Sequence, residues 1–382
     1  MRDVLPELLG WWRYGEVVGL ATVVATFQSA PRPPGASMLV GPGGEAVGSV
    51  SGGCVESAVY DLAQDVVASG APVLERYGVS DDDALAVGLT CGGILDVFVE
   101  PVSTESFPQL GSVADDIESG RPVAVATVVE HPDAAWLGRR LVVRPEESGE
   151  RGSEVPPGTM GSARADAAVT DDARGLLALG RTESLTYGPD GERRGEGMRV
   201  FVASHAPPPR MLVFGAIDFA AAVAHVGSFL GYRVTVCDAR PVFTTSTRFP
   251  EAHEVVVEWP HRYLAAEVAA GRVDSRTVIC VLTHDPKFDV PVLEAALRLP
   301  EVAYVGAMGS RRTHEQRIAR LRDAGLGDAE LARLASPIGL DLGARTPEET
   351  AVSIAAEIVA LRWGGGGARL HDVTGPIHHH AT

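Results

Sequence analysis

The stretch Met211-Leu-Val-Phe-Gly-Ala-Ile-Asp-Phe-Ala220 decides the fold class of the C-terminal part of the chain. Four apolar residues form a buried-strand pattern, a glycine follows, and a helical pattern then runs to Leu230. Further apolar runs begin at Val234, Thr277 and Val302, and each of them precedes a helical segment. Because strands that alternate with helices are typical of βαβ units, we predict a Rossmann-like, doubly wound parallel sheet of the α/β class.

The loop after the first of these strands departs from the dinucleotide-binding fingerprint. That fingerprint is G-x-G-x-x-G/A, with an acidic residue at the end of the second strand. Gly215 and Ala220 fit its first and last positions, and Asp238 stands where a ribose hydroxyl partner is expected. Ile217 replaces the middle glycine, which normally lets the backbone approach a pyrophosphate. The sequence therefore predicts the fold and argues against the usual mode of NAD binding.

Two more loops follow strands whose carboxyl ends are expected to face a ligand crevice. His284 comes directly after the strand that ends at Leu282, so it is a candidate base or ligand contact, with an ordinary turn residue as the alternative. Ser310 and Arg311 follow a glycine-containing strand end, where the N–H groups of the next helix could bind an anion. A simple helix cap is the alternative for Ser310.

The N-terminal half contains an internal repeat. Val18-Gly-Leu-Ala-Thr-Val-Val24 resembles Val123-Ala-Val-Ala-Thr-Val-Val129, and a helix that ends at Gly70 has a counterpart that ends at Gly180. Each copy has the pattern of strand, glycine turn, short strand, helix and strand, which predicts a duplicated α+β region. The predicted domains are a first α+β repeat with Gly/Cys loops, a second α+β repeat, a Rossmann-like domain and a flexible tail: residues 1–102, 103–206, 207–368 and 369–382.

The two copies are expected to differ in their loops. Matching Gly48-Ser49 to Gly161-Ser162 gives an offset of 113, against 110 for the helices, which predicts three extra residues before the first helix. The final strand matches at an offset of 103, which predicts seven extra residues around Leu89-Thr-Cys-Gly-Gly93. Loop growth in one copy is typical of a site acquired by one half of a duplication, although loop drift without function is the alternative.

The loops of the first copy also contain reactive side chains. Cys54 lies in a Ser-Gly-Gly-Cys-Val-Glu stretch at a predicted helix start, and a helix N-terminus favours a thiolate that acts as nucleophile or soft metal ligand. Cys91 lies in a second glycine-rich loop, whereas Cys237 and Cys280 lie in apolar strand runs and are predicted to be core. Arg32 stands among prolines, so it would lose little entropy on binding a carboxylate or phosphate.

Composition excludes several classes of function. The chain has 382 residues and a formal net charge of −17, which disfavours binding to nucleic acid or to an anionic membrane. It contains no apolar run of about 20 residues, so we expect no membrane span, and its start lacks a signal-peptide pattern, so we expect a cytoplasmic protein. Lys287 is the only lysine, which argues against Schiff-base mechanisms. The four cysteines are too scattered to hold iron–sulfur clusters.

With these residues assembled, the chain resembles the xanthine dehydrogenase accessory proteins, the XdhC/CoxI family. The Ser-Gly-Gly-Cys-Val-Glu and Pro-Ile-Gly motifs are the distinctive ones. The segments that carry the resemblance extend over nearly the whole chain: Gln28–Met38, Gly48–Glu56, Cys91–Glu100, Thr283-His284, Gly309–Arg311 and Ser336–Glu349.

The resemblance implies a function. Such proteins bind the molybdenum cofactor, protect it, present it to a sulfurating cysteine desulfurase and help to deliver it to a xanthine dehydrogenase-type molybdenum hydroxylase. The molybdenum of this cofactor is bound by sulfur, so cysteine thiolates would suit it. The pterin carries a phosphate, which glycine loops and helix N-termini would suit. The resemblance makes Cys54 and Cys91 candidates for the molybdenum or pterin site. The full set of candidate cofactor-binding residues is Cys54, Cys91, Arg32, Gly52, Gly53, Gly92, Gly215, Asp238, His284, Ser310 and Arg311.

Three functions remain open at this point. The first is a cofactor chaperone without catalytic residues of its own. The second is an NAD(P)-dependent oxidoreductase that uses Asp238 for the ribose and His284 as acid or base. The third is a scaffold that docks a hydroxylase without binding a small ligand. The apolar strand repeat is compatible with a homodimer but does not establish one.

Overall fold

The computed structural model describes residues 1–27, 32–78, 93–145, 156–374 and 377. The chain divides into two compact units, Met1–Pro207 and Pro208–Thr382. No helix within the described ranges is long and apolar enough to cross a bilayer.

The N-terminal unit contains two antiparallel sheets. The elements of its first half are α1 (Leu5–Arg13), β1 (Val18–Phe27), β2 (Ser37–Val40), β3 (Ala46–Gly48), α2 (Glu56–Ser69), β4 (Val73–Tyr77) and β5 (Ile94–Val102). The elements of its second half are α3 (Leu110–Glu118), β6 (Val123–Glu130), β7 (Arg140–Val143), α4 (Ala163–Leu179), β8 (Glu183–Tyr187) and β9 (Met198–His205). The strand orders are β3-β2-β1-β5-β4 and β7-β6-β9-β8.

The strand pairing confirms the duplicated α+β region. β1 lies between β2 and β5 as β6 lies between β7 and β9, and the helix that follows the strand hairpin packs on one face of each sheet. The register shift after Val23 in β1 recurs after Val128 in β6, at a constant offset of 105. Both helices end at a glycine in the left-handed conformation, Gly70 and Gly180, as the sequence predicts.

The prediction of three extra residues before the first helix is wrong. Gly48 and Gly158 have φ of +86° and +95°, and at each a Cβ atom would collide with the backbone oxygen of the neighbouring strand. The two glycines are therefore counterparts, and their offset of 110 is the same as that of the helices. The match of Gly48-Ser49 to Gly161-Ser162 rested on a local identity of two residues.

The prediction of seven extra residues later in the first copy agrees with the strand registers. Tyr77 pairs with Leu95, whereas its counterpart Tyr187 pairs with Met198, so the connection between these pairs is seven residues longer in the first repeat. The extra length falls in or beside residues 79–92, which lie outside the described ranges.

The two sheets face each other through side chains that are counterparts of one another. Val24, Phe98, Val129 and Phe201 form one buried cluster, in which Val129 corresponds to Val24 and Phe201 to Phe98. Contacts between equivalent positions indicate an approximate twofold relation between the repeats. Helices α2 and α4 cover the outer faces, so the unit has the layer order helix, sheet, sheet, helix.

The C-terminal unit is the predicted Rossmann-like domain. Its elements are β10 (Arg210–Phe214), α5 (Asp218–Phe229), β11 (Arg233–Asp238), β12 (Glu254–Val257), α6 (Pro260–Ala269), β13 (Val278–Val281), α7 (Pro286–Leu297), β14 (Tyr304–Ala307), α8 (Arg311–Asp323), α9 (Asp328–Leu331), β15 (Leu334–Ala335) and α10 (Pro347–Trp363). The six strands are parallel, in the order β12-β11-β10-β13-β14-β15. This is the Rossmann order 3-2-1-4-5-6.

Alternation along β10 explains why both faces of this sheet are covered. Met211 and Val213 join the core under α5 and α10, whereas Leu212 and Phe214 join the core under α6, α7 and α8. A strand that is buried on both faces has a continuous apolar sequence, which is the pattern that identified it.

Candidate functional site

The loop between β3 and α2 carries three of the predicted site residues and is held by the carboxylate of Glu56. That carboxylate accepts hydrogen bonds from the hydroxyl groups of Ser49 (2.6 Å) and Ser51 (2.5 Å). It also accepts the backbone N–H groups of Gly52 (3.0 Å) and Gly53 (2.8 Å). The side chain of the first residue of α2 thus satisfies the donors of the loop before the helix.

The ionisation of Glu56 follows from these contacts. Burial alone would raise the pKa of this carboxyl group. The hydrogen bonds from Ser49, Ser51 and the backbone outweigh burial and lower its pKa to about 2. Glu56 is therefore ionised at neutral pH, and its carboxylate stabilises the loop through these hydrogen bonds.

Gly52 and Gly53 do not offer free donors in this arrangement. The sequence predicts a phosphate contact at these glycines, but their N–H groups are donated to Glu56. Both residues have positive φ, +79° and +121°, and a Cβ atom on either would meet no atom of the described residues within 4 Å. What the two glycines present is an open stretch of backbone rather than an anion-binding nest.

Cys54 lies directly after these glycines and is half-buried. Its backbone N–H donates to the Ser51 hydroxyl oxygen at 2.9 Å. Because the offset in this region is 110, its counterpart in the second repeat is Arg164. Cys91 and Gly92 lie outside the described ranges.

Arg32 lies in the loop between β1 and β2. Its guanidinium is 3.8 Å from the carboxylate of Asp3, and its Nε atom is buried without a hydrogen-bond partner among the described residues. No described contact joins Arg32 to the loop that carries Cys54.

The other two cysteines lie in the core, as the sequence predicts. Cys237 and Cys280 are buried in β11 and β13. Burial raises the pKa of each thiol to about 12, so neither is a thiolate at neutral pH. Within the described part of the chain, no three His, Cys, Asp or Glu side chains lie together as a metal-ligand set.

The predicted residues of the C-terminal unit lie at the carboxyl ends of its strands. Gly215 has a φ of +121°, and a Cβ atom there would lie 3.0 Å from the backbone nitrogen of Thr283. The glycine is thus required by the close approach of the strand end that precedes His284. His284 itself is exposed.

Asp238 is buried, and its carboxylate is fully engaged. It accepts a hydrogen bond from the backbone N–H of Ala216 at 2.8 Å. It also accepts two from the guanidinium of Arg240, from Nε at 2.9 Å and from Nη2 at 2.7 Å. Burial favours the neutral acid, but the bonds from Arg240 and the backbone outweigh it and lower the pKa of Asp238 below its ordinary value. Sequence reasoning missed Arg240, whose position two residues after the acid was the available signal.

These residues do not fit the usual NAD site. Ile217 stands at the middle-glycine position as the N-cap of α5, and Arg240 takes the acceptor atoms of Asp238 that a ribose hydroxyl would use. The unit has the crevice of the fold, but the glycine-rich loop and the acidic residue that would recognise NAD are both altered.

Ser310 acts as a helix cap, the alternative that the sequence left open. Its hydroxyl oxygen accepts the N–H of Thr313 at 3.2 Å, and the next residue, Arg311, is exposed at the start of α8. Beneath these loops, buried Arg317 donates to Asp289 at 3.1 Å and to the carbonyl of Met308 at 2.7 Å.

The same arginine reaches the loop after β15, since it donates to the Ser336 hydroxyl at 3.0 Å. Asp289 in turn accepts a bond from Thr283, the neighbour of His284. One buried ion pair, which sequence reasoning missed, therefore ties together the loops after β13, β14 and β15.

Comparison with known proteins matches both units to one family. A model described as the XdhC Rossmann domain matches residues 211–358, and a model of the XdhC and CoxI family matches residues 11–78 and 116–188. A protein from Bacillus subtilis, named as a probable subunit of xanthine dehydrogenase, is 28% identical over 90% of this chain and 92% of that protein. A molybdenum cofactor insertion chaperone from Escherichia coli, PaoD, is 26% identical over 91% of this chain and 84% of that protein.

A solved structure supports the fold. A Bacillus halodurans protein named as a xanthine dehydrogenase aligns with a TM-score of 0.63 over 94% of each chain, at 24% identity. At that identity the likeness concerns the fold alone.

Proposed function

Because the chain belongs to the XdhC and CoxI family, we propose that it is a chaperone that binds the molybdenum cofactor and delivers it to a xanthine dehydrogenase-type molybdenum hydroxylase. The curated relative PaoD is named as a molybdenum cofactor insertion chaperone. In this proposal the chain carries cargo and performs no turnover of its own.

The observation that carries the proposal is the loop before α2. Its backbone is open at Gly52 and Gly53, its donors are satisfied by Glu56, and it ends at the half-buried Cys54. The second repeat has the same scaffold but places Arg164 where the first has Cys54. A thiol on an open, braced loop suits a cofactor whose metal is bound by sulfur.

We place the metal end of the cargo at Cys54 together with Cys91, and Gly92 beside it. Arg32 is the proposed partner of the pterin phosphate, since its guanidinium is only loosely paired, 3.8 Å from an exposed aspartate. At the crevice of the C-terminal unit, the exposed side chains of His284 and Arg311 are proposed as contacts for a ligand of that unit.

The partners follow from this function. The chaperone would present its cargo to a cysteine desulfurase for sulfuration and then pass it to the hydroxylase. Such an exchange takes place in the cytoplasm, and we propose that the protein works there, as a homodimer.

The test is anaerobic retention of molybdenum cofactor, measured by ultrafiltration and by fluorescence of the oxidised pterin. We expect wild type to retain cofactor and Cys54→Ala and Cys91→Ala to lose it. Arg164→Ala, at the matched position of the second repeat, should retain it. If wild type retains no cofactor, the proposed cargo is wrong. If Cys54→Ala and Arg164→Ala lose cofactor equally, the Cys54 thiol is not part of the binding site.

The oxidoreductase alternative has a separate test. NADH titration followed by fluorescence should show no saturable binding, because Ile217 and the Asp238–Arg240 pair alter both recognition elements. Saturable binding with reduction of a substrate would favour the oxidoreductase.

A further inference from the structure

Helix α10 is apolar on two sides. Its inner side, with Ala351, Ile354 and Ile358, is buried in the core of the C-terminal unit. Val352 and Val359 stand on its outer side, with relative exposures of 53% and 42%. A surface helix normally has one apolar side and one polar side, and a helix that is apolar all round is normally buried. The outer side of α10 therefore has the composition of a surface that another element covers.

The apolar residues of this outer side form one continuous stripe. The outer stripe consists of Val352, Ala356, Val359 and Trp363. Spacings of four, three and four residues place these side chains above one another on one side of a helix. Trp363 is 46% exposed, and Ala355 lies beside Ala356 at the middle. Because the middle of the outer stripe carries only methyl groups, a second helix can approach it closely.

The two ends of the outer stripe carry opposite charges. Glu348 is exposed in the first turn of α10, and Arg362 is exposed in the last turn. The two residues are fourteen positions apart, which places them within about 40° of each other around the helix axis. They therefore stand on the same side of the outer stripe, one at each end of the helix.

A second copy of α10 fits the outer stripe in the antiparallel direction. A twofold axis between Ala355 and Ala356 places Val352 of each copy opposite Val359 of the other. In such a pair, each side of the stripe faces the same side of the other helix, so Glu348 of each copy meets Arg362 of the other. A parallel pair would instead place Glu348 beside Glu348 and Arg362 beside Arg362, and these like charges would repel.

We infer that two copies of this chain associate through the outer stripe of α10, as an antiparallel helix pair with twofold symmetry. The inference rests on the homodimer of the proposed function and adds its interface. One helix from each copy gives a small contact area, of the kind that weak complexes have. The dimer is therefore expected to dissociate on dilution.

The test is sedimentation equilibrium of the full chain from about 1 to about 100 μM, the range in which weak complexes dissociate. We expect wild type to change from monomer to dimer within this range. Val352→Glu and Val359→Glu each place a charge against a valine of the other copy. Each should weaken association at least about tenfold.

The same helix offers a matched control. Leu361 is 63% exposed and apolar, but it lies nine positions from Val352, about half a turn away around the helix. Leu361→Glu should therefore associate as wild type does. Thermal melts of all the variants show whether they are folded.

Exchange of charges tests the direction of the helix pair. Glu348→Arg alone and Arg362→Glu alone each bring like charges together, and each should weaken association by about threefold or more. The double variant, Glu348→Arg with Arg362→Glu, restores opposite charges in both contacts. It should associate as wild type does.

Four results would each overturn the inference. The first is a wild type that stays monomeric up to about 100 μM. The second is undiminished association of folded Val352→Glu and Val359→Glu. The third is a loss of association in folded Leu361→Glu as large as in those variants. The fourth is failure of the folded double charge variant to recover association.

Failure of the inference and failure of the proposed function give different results, because sedimentation reports association and ultrafiltration reports cargo. If wild type is dimeric and the variants of the outer stripe remain dimeric, the homodimer stands and this interface is wrong. If wild type associates through the outer stripe but retains no molybdenum cofactor, the interface stands and the proposed cargo is wrong.

Discussion

Replacement of Glu56 by glutamine should loosen the loop that carries Cys54 and destabilise the N-terminal unit. Each carboxylate oxygen accepts three hydrogen bonds from hydroxyl and N–H groups of residues 49–55. A glutamine side chain replaces one of these oxygens by an NH2 donor, so three donors lose their acceptor whichever way the amide turns.

The size of the effect follows from the pKa of Glu56, which falls from 4.5 to about 2. For a fully buried group this fall corresponds to about 3 kcal/mol of folding free energy. Glu56 is only partly buried, so solvent screening reduces the contribution to about 1–2 kcal/mol. For a chain of this size we expect the melting temperature of the first unit to fall by roughly 2–8 °C at pH 7.

The pH dependence has a definite sign. The folded-state pKa is below the unfolded value, so the contribution of Glu56 is complete above pH 4.5 and is lost as the pH falls towards 2. Urea unfolding of wild type and Glu56→Gln at a series of pH values should give curves that converge in acid. Glu118→Gln, which changes an exposed glutamate at the end of α3, is the matched control and should have no effect. Equal stability of wild type and Glu56→Gln at pH 7, or a difference that does not shrink in acid, would refute the reasoning.

Three other predictions concern the rest of the fold. Gly215→Ala should destabilise the C-terminal unit by about 2–4 kcal/mol in chemical unfolding, because its Cβ atom would meet a strand end and its φ is positive, whereas Gly231→Ala, which meets no described atom, should cost about 1 kcal/mol. Asp96→Asn should cost about 2 kcal/mol in the same assay, because it leaves a largely buried arginine of β9 with one exposed carboxylate partner, Glu130, whereas removal of the half-exposed Arg76 partner should cost under about 1 kcal/mol. The core thiols of β11 and β13, with pKa values raised to about 12, should resist iodoacetamide at pH 8 until the protein is unfolded; rapid labelling of either in the native protein would contradict their burial.

The fold could be predicted from sequence where the pattern is local. The apolar run that ends at Phe214 predicts a strand buried on both faces, and Gly70 and Gly180 predict helix ends, because each feature depends on a few neighbouring residues. The offset of 113, and with it the prediction of three extra residues, is wrong because it follows a two-residue identity. The correct pair is Gly48 and Gly158, whose shared positive φ is visible only in the structure.

The site was less predictable, because its decisive contacts join residues whose roles depend on how the loop folds. The sequence predicts Asp238 at the correct strand end. The hydrogen bonds from Arg240 to its carboxylate depend on the conformation of the turn between the two residues, which the sequence does not show. The Ser-Gly-Gly-Cys-Val-Glu motif contains Glu56 but predicts no role for it, since nothing in the spacing shows that its carboxylate turns back over the loop. Asp166 in the second repeat was the available signal, because it stands 110 residues later and accepts the hydroxyl of Thr159 in the same way.

The ion pair between Asp96 and Arg199 has a consequence for the history of the N-terminal unit. The two residues are 103 positions apart on β5 and β9, which makes them counterparts, and their side chains meet at 2.7 Å. In a symmetric pair of identical repeats, an aspartate here would face an aspartate, or an arginine an arginine, and like charges would repel. Opposite charges at these two positions require that the two repeats differ in sequence. An isolated first repeat should therefore assemble poorly with itself, and neither half can be exchanged for a second copy of the other.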